Sequence, residues 1–170
     1  MEILYAPWRE DYAATIGQEK KGQEDAGSDI CVFCNVQAHP NDEEVFLLHR
    51  YTHCFVILNR YPYNPGHLLI IPYVHKKNLF DLSDEARIEI INVLNFCTQI
   101  LQKEMKCEGL NVGLNMGKAA GAGIPSHLHM HVLPRWLGDT NFLPTLAGVK
   151  TISTDLPTLY KKLLPYFAKK

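Results

Sequence analysis

Three histidines alternate in the run Ser126-His127-Leu128-His129-Met130-His131-Val132, and two cysteines stand three apart in Cys31-Val32-Phe33-Cys34. Imidazoles and thiols can attack phosphorus, move protons near neutral pH, or bind transition metals. In an extended chain every second side chain shares a face. His127, His129 and His131 therefore point one way, while Leu128, Met130 and Val132 point the other. At a rise of roughly 3.3 Å per residue, the outer two histidines lie about 13 Å apart and neighbours about 6.6 Å. That is too far for one metal ion to take all three without distortion, but neighbours can share a hydrogen-bond network or divide their duties. Three readings of the run stay open. It is polar cover on a sheet, a His-x-His metal site, or a catalytic site. In the last case a neutral imidazole attacks phosphorus, forms a phosphoramidate, and splits one displacement into two steps.

The elements around the run must hold it in place. His127 to Leu133 reads as a strand ended by Pro134. Upstream, Val45 to Leu48 is a short apolar piece, Cys54 to Leu58 a β-rich run, and His67 to Ile71 a buried strand stopped by Pro72. The turn-rich stretch Asn59 to Gly66 between the last two predicts antiparallel pairing. Asn111 to Met116 reads as a further strand. One long helix intervenes, with Ser83 as N-cap, Asp84 and Glu85 in its first turn, and an end near Lys106. Ile88, Ile91, Leu94, Thr98, Leu101 and Met105 mark its expected core-facing stripe. Leu156 to Phe167 has the pattern of a second helix, with Pro157 tolerated in the first turn. Strands, a helix and a return to strands predict an α+β fold with a mainly antiparallel sheet.

A chain of 170 residues, 46% hydrophobic and 21% charged, fits one soluble globular domain. Its formal net charge of -1 gives no bulk attraction to nucleic acid. No apolar run has the roughly 20 residues of a membrane span, and Met1 to Asp11 does not read as a secretory signal. Five cysteines, an odd number at irregular spacing, then predict reduced thiols in the cytoplasm. Residues 17 to 29 are polar and Gly-rich and predict a flexible loop.

Two blocks carry a resemblance to a known family. The segment from Ser126 to Arg135 resembles the His-φ-His-φ-His-φ-φ signature of histidine-triad (HIT) proteins. Asn59-Arg60-Tyr61-Pro62-Tyr63-Asn64-Pro65-Gly66-His67 is similar to the family's Asn-Arg-x-Pro-x-x-Pro-Gly-His element, and the long helix separates the two at the family's spacing. The resemblance covers residues 30 to 136, which makes 1–29 an N-terminal extension and 137–170 a C-terminal one. It implies a HIT-like fold with a five-stranded, mainly antiparallel sheet, the long helix lying between the nucleotide-binding strands and the triad strand, and a C-terminal helix. It implies His129 as nucleophile, His131 near the phosphate or leaving group, and His67 as a supporting histidine. Asn59 would hydrogen-bond the ribose, and the strand 53 to 58 would wall the base pocket. Asn115, Gly123 and Ser126 would meet the phosphate, where small residues let backbone N–H groups approach oxygens.

The cysteines make only half of a tetrahedral zinc site, so they are either inert or completed by histidines. Resemblance to zinc-carrying family members, and to the related galactose-1-phosphate uridylyltransferases, implies Cys31, Cys34, His75 and His127 as a structural zinc site. His39, His49 and His53 are rival ligands. No redox or organic cofactor is implied.

The block Trp136-Leu137-Gly138-Asp139-Thr140-Asn141-Phe142 resembles the bacterial branch that contains diadenosine tetraphosphate phosphorylases, as do Asn111 to Gly117 and Tyr5-Ala6-Pro7-Trp8-Arg9. The loop Gly117 to Ser126 lacks the glutamine with which many family hydrolases position water. The implied reaction is attack by His129 on the α-phosphorus of a dinucleoside polyphosphate, release of ATP, and transfer of the adenylyl group to phosphate. Hydrolysis of dinucleoside polyphosphates or nucleoside phosphoramidates is the rival activity. A nucleotide-binding signalling module with little turnover, and a metal-binding protein using the His-x-His face, are rivals of other classes. The resemblance also implies a homodimer that joins two sheets. Trp8, Trp136 and Asn141-Phe142 fit such an interface, a second nucleoside, or ordinary core.

Overall fold

A computed structural model describes residues 31–149 and 151–168. The readings placed on residues 1–30, including the 17–29 loop and Trp8, lie outside the described residues.

The elements follow in the order α1 (Val32–Ala38), β1 (Leu47–Arg50), β2 (Cys54–Leu58), β3 (Leu68–Pro72), α2 (Asp84–Met105), β4 (Gly109–Leu114), β5 (Met130–Arg135), α3 (Leu143–Ala147) and α4 (Leu156–Phe167). Single 3-10 turns occupy Leu79–Asp81 and Lys118–Ala120. The five strands form one antiparallel sheet in the order β1-β2-β3-β5-β4. The predicted α+β fold with a five-stranded antiparallel sheet is what the chain adopts.

Every residue of β2 and β3 is buried, because the sheet is covered on both faces. Leu58, Leu68, Ile70, Met130 and Val132 face α2 and α4 in the larger core. Phe55, Ile57, Leu69 and Ile71 face the other way and pack with Phe33 of α1. Alternation along β3 thus sends Leu68 and Ile70 to the helices, and His67, Leu69 and Ile71 to the opposite face. Leu69 pairs with His131 in β5, so the second face carries the histidines.

Helix α2 begins where the sequence predicts. The Ser83 hydroxyl accepts the Ala86 N–H, and Lys106 ends the helix in the left-handed conformation. The face it buries overlaps the predicted one, with Leu101 buried and Leu94 and Met105 packed against the core, but is turned away from its first two residues. Ala86, Ile90, Val93, Cys97, Ile100 and Leu101 are buried, whereas Ile88 is 61% and Ile91 56% exposed. The helix has two apolar stripes, about 100° or one residue apart. Its small residues Ala86, Val93 and Cys97 let it lie close to the sheet, so their stripe turns inward.

Strand boundaries shift for local reasons. The Val45 to Leu48 piece becomes β1 only from Leu47, because Phe46 takes φ 55° and breaks the ladder. The strand predicted at 111–116 runs two residues earlier and ends before the loop at Gly117. The strand predicted to start at His127 starts at Met130. The backbone before it is bonded elsewhere: Leu128 N–H donates to Lys76 O, and His127 O accepts from the His129 ring. Helix α4 spans Leu156–Phe167 as predicted, capped by Asp155 through the Thr158 N–H. Among the described residues, no helix is long and apolar enough to cross a membrane.

Candidate active site

The turn that delivers His67 is built by its sequence. His67 N–H donates to Asn64 O, with Pro65 and Gly66 between them and Gly66 at φ 79°. Proline first and a positive-φ glycine second is the pattern of a type II turn. A β-carbon at Gly66 would also lie 3.2 Å from Met105 Cε and 3.4 Å from Pro134 Cγ, so the turn lies close against α2 and β5.

Hydrogen bonds then fix the proton on each imidazole. The Tyr63 backbone N–H and Asn59 Nδ2 both donate to His67 Nδ1, each at 3.2 Å. Burial and the neighbouring His131 push the His67 pKa down to about 3, so the ring is neutral. With Nδ1 accepting, its proton is on Nε2, which donates to His131 Nδ1 at 2.9 Å. Burial lowers His131 to about 4, so it too is neutral and carries its proton on Nε2. That Nε2 is buried and has no partner among the described residues. A buried donor without an acceptor is costly, which marks a place where a ligand oxygen belongs. His129 has the complementary arrangement. Its Nδ1–H donates to His127 O at 2.9 Å, and burial lowers its pKa, so Nε2 keeps a free lone pair. The two rings lie 5.0 Å apart.

His129 and His131 open onto one cavity of about 330 Å³. Val32, Phe33, Val36, Ile57, Leu69 and Ile124 give it an apolar wall, while Asn59, Asn115, Gly123 and the two histidines give it polar groups. This is the usual make-up of a small-molecule site. Of the predicted residues, His129, His131, Asn59, Asn115 and Gly123 therefore meet at the cavity, and His67 stands behind His131. Ser126 is exposed and does not line it. Of the strand 53–58, Ile57 and Leu58 line the cavity. Helix α1 was not foreseen. Its Val32, Phe33 and Val36 form part of the wall, and the Phe33 ring lies 4.9 Å from that of His129.

The second predicted cluster also assembles. One donor atom from each of Cys31, Cys34, His75 and His127 lies within 4.8 Å of the others. His127 Nδ1 is 3.3 Å from Cys31 Sγ and 3.7 Å from Cys34 Sγ, and His75 Nδ1 is 3.3 Å from Cys34 Sγ. Tetrahedral zinc with its usual bond lengths has S···N edges of about 3.6 Å. His127 Nε2 donates to Pro72 O at 2.9 Å, which directs the Nδ1 lone pair at the sulfurs. With burial and Cys31 beside it, the Cys34 thiol is pushed up to about 11, a shift that a bound cation would reverse. The donor set fits zinc in a closed, four-ligand arrangement. The rivals His39 and His53 are not among the four clustered donors; His39 Nδ1 instead bonds Asn41 O at 2.9 Å. His49 packs on Tyr51 at 4.5 Å.

The neutral histidines set a pH dependence. For His67 and His131 the folded pKa lies below the ordinary value of about 6.5, so the unfolded chain binds more protons below that pH. Stability is fully present above pH ~6.5 and is lost as pH falls toward 4, at a slope of up to about 1.4 kcal/mol per pH unit for each group. Urea melts at pH 7, 6 and 5 are expected to show a falling midpoint across this window. A midpoint independent of pH would contradict the buried neutral relay.

Comparison with known proteins agrees with this geometry. A HIT domain model matches residues 41–136. An AP-4-A phosphorylase of Mycobacterium tuberculosis is 35% identical over 152 residues, covering 89% of this chain and 77% of that protein. A bis(5'-nucleosyl)-tetraphosphatase (asymmetrical) of Schizosaccharomyces pombe is 30% identical over 100 residues, 59% of this chain and 53% of that one. A zinc-bound histidine triad family protein from Mycobacterium smegmatis superposes with a TM-score of 0.67 at 27% identity, covering 84% of this chain and 96% of that one. With its triad and more than half its length matched by one domain model, the chain belongs to the histidine-triad (HIT) family.

Proposed function

We propose that the protein transfers an adenylyl group through a covalent nucleotidyl-histidine on His129, with diadenosine tetraphosphate as donor and inorganic phosphate as acceptor. The observation that carries this reading is the pair of opposed protonation states on one cavity: a lone pair on His129 Nε2 and, on His131 Nε2, an N–H without a partner among the described residues. The first attacks the α-phosphorus. The second donates to the phosphate or leaving oxygen as the bond to the β-phosphate breaks and ATP departs. His127 O stabilises the positive charge that develops on the His129 ring. Phosphate then attacks the adenylyl-histidine, the P–N bond breaks, and ADP leaves with His129 restored. The apolar wall that includes Phe33 and Ile57 suits the base, and Asn59, whose Oδ1 is held by the Tyr61 N–H, suits the ribose. Similarity to a mycobacterial AP-4-A phosphorylase, and a Gly117–Ser126 loop without glutamine, favour phosphate over water.

The similarity to a tetraphosphatase favours hydrolysis as the second reading. Incubation with diadenosine tetraphosphate, with and without phosphate, separates the two. ATP and ADP formed only with phosphate support phosphorolysis, whereas AMP and ATP formed without it support hydrolysis. No product under either condition overturns both.

Zinc at Cys31, Cys34, His75 and His127 would be structural and would hold α1 and the residues before β5 together. A homodimer joining two sheets is consistent with β4 ending the sheet and with Val112, 45% exposed, standing on it.

A further inference from the structure

The segment after β5 carries a conspicuous charge cluster that the transfer reaction does not use. Asp139, its side chain only 8% exposed, accepts five hydrogen bonds. Arg135 donates through Nε at 2.6 Å and through its terminal nitrogen at 3.0 Å, the Trp136 N–H at 3.2 Å, and the Thr140 hydroxyl at 3.1 Å. The fifth donor comes from another part of the chain: Asn64 Nδ2, at 2.9 Å. The Arg135 guanidinium holds the Asp139 carboxyl far below the usual carboxylate range, so it is an anion.

The turn around Asp139 is itself secured. The Asp139 N–H donates to Trp136 O across Gly138, whose φ is 78°, and Trp136 Nε1 donates to Lys106 O at the end of α2. Asp139 is therefore a fixed post, and Asn64 is what it holds. Asn64 is 1% exposed, and its amide also donates to Pro134 O at 2.8 Å. Its main-chain carbonyl accepts the His67 N–H, and its neighbour Tyr63 supplies the N–H that meets His67 Nδ1. Rotation of this loop would remove one of the two donors that fix the His67 proton, leaving Asn59 Nδ2 alone.

We propose that Asp139 is a positioning residue: acting through Asn64, it holds the loop whose Tyr63 N–H, together with Asn59 Nδ2, sets the His67 tautomer, and so aims the His131 Nε2–H into the cavity. The inference rests on the proposed role of His131, but the coupling is readable without turnover.

The test is the ¹⁵N spectrum of histidine-labelled protein, free of nucleotide, together with steady-state kinetics. In the unaltered protein at pH 7, His67 is expected as the neutral Nε2–H tautomer. Asp139→Asn and, from the other end of the link, Asn64→Ala are each expected to turn this into a mixture of tautomers. They should lower kcat by about 10²-fold, the scale of a small misplacement at a reacting centre, with KM moving less than threefold. The double variant is expected to be no worse than the poorer single one, because both break one link. A clamp that merely stabilises the fold would shift the melting temperature and leave the His67 signals as they were. A folded single variant with unchanged His67 signals overturns the proposal. So does a parent protein in which His67 is the Nδ1–H tautomer or a cation, a result that needs no variant to fold. Absent turnover with the His67 change intact would instead count against the reaction proposed above.

Discussion

Replacing His129 with asparagine is expected to lower kcat on diadenosine tetraphosphate by about 10⁴-fold or more, the scale seen when a covalent nucleophile is removed. Asparagine has no lone pair on nitrogen at the position of Nε2, while its amide can still donate toward His127 O. The fold should persist: His129 is 7% exposed but stands at a cavity wall rather than in the large core behind the sheet. Stopped assays with circular dichroism on the same samples check both halves. Activity above about 1% of the parent, far beyond the residual expected without a nucleophile, would mean that another group forms the bond. Loss of ground-state binding alone would instead appear in KM.

Cys31→Ser is expected to have the second largest effect, and to have it at two places. Zinc content should collapse, because one of four closely set donors is lost. A site held at about 1,000 times its Kd contributes about 4 kcal/mol, so the melting temperature should fall by many degrees. The nucleotide site should suffer as well. Cys31 and Cys34 bracket Phe33, which packs on both His127 and His129 and lines the cavity with Val32 and Val36. His127 also joins the two sites directly, its ring facing the thiols and its carbonyl orienting the nucleophile. Metal analysis, thermal melts and nucleotide titration read the three consequences. Unchanged zinc content would sink the ligand set. Lost zinc with unchanged nucleotide affinity would sever the link to the cavity.

These couplings show what could be read from the residues and what could not. The triad, the Asn59 to His67 block and the Cys-x-x-Cys are local strings, so they were visible before folding. Strand β2 was legible in full because its apolar run begins after the polar Thr52-His53 and is ended by the turn-rich stretch from Asn59. Helix α1 was hidden because seven residues with one buried side chain, Phe33, give no period to detect. The inward face of α2 is legible only in part: Leu94, Leu101 and Met105 pack as expected and Ile88 and Ile91 do not, because periodicity finds a helix but does not choose between two apolar stripes. That choice is made by packing against the sheet. The onset of β5 was misplaced because extended residues count as a strand only when a neighbour takes their hydrogen bonds, and Leu128 bonds Lys76 instead. The contact of Asn64 with Asp139, 75 residues apart, leaves no trace in either local pattern. The protonation states of His67, His129 and His131 are likewise products of the folded hydrogen bonds rather than of the run that contains two of them.

The central claim is a covalent bond at one nitrogen. Rapid mixing of the protein with diadenosine tetraphosphate in phosphate-free buffer, followed by alkaline quench and peptide mass spectrometry, tests it most directly. The account predicts an acid-labile adenylyl group on the peptide containing residues 127 to 131, localised to His129, that disappears as ADP forms when phosphate is added. Turnover with no adduct on His129, or an adduct on any other residue, would contradict it.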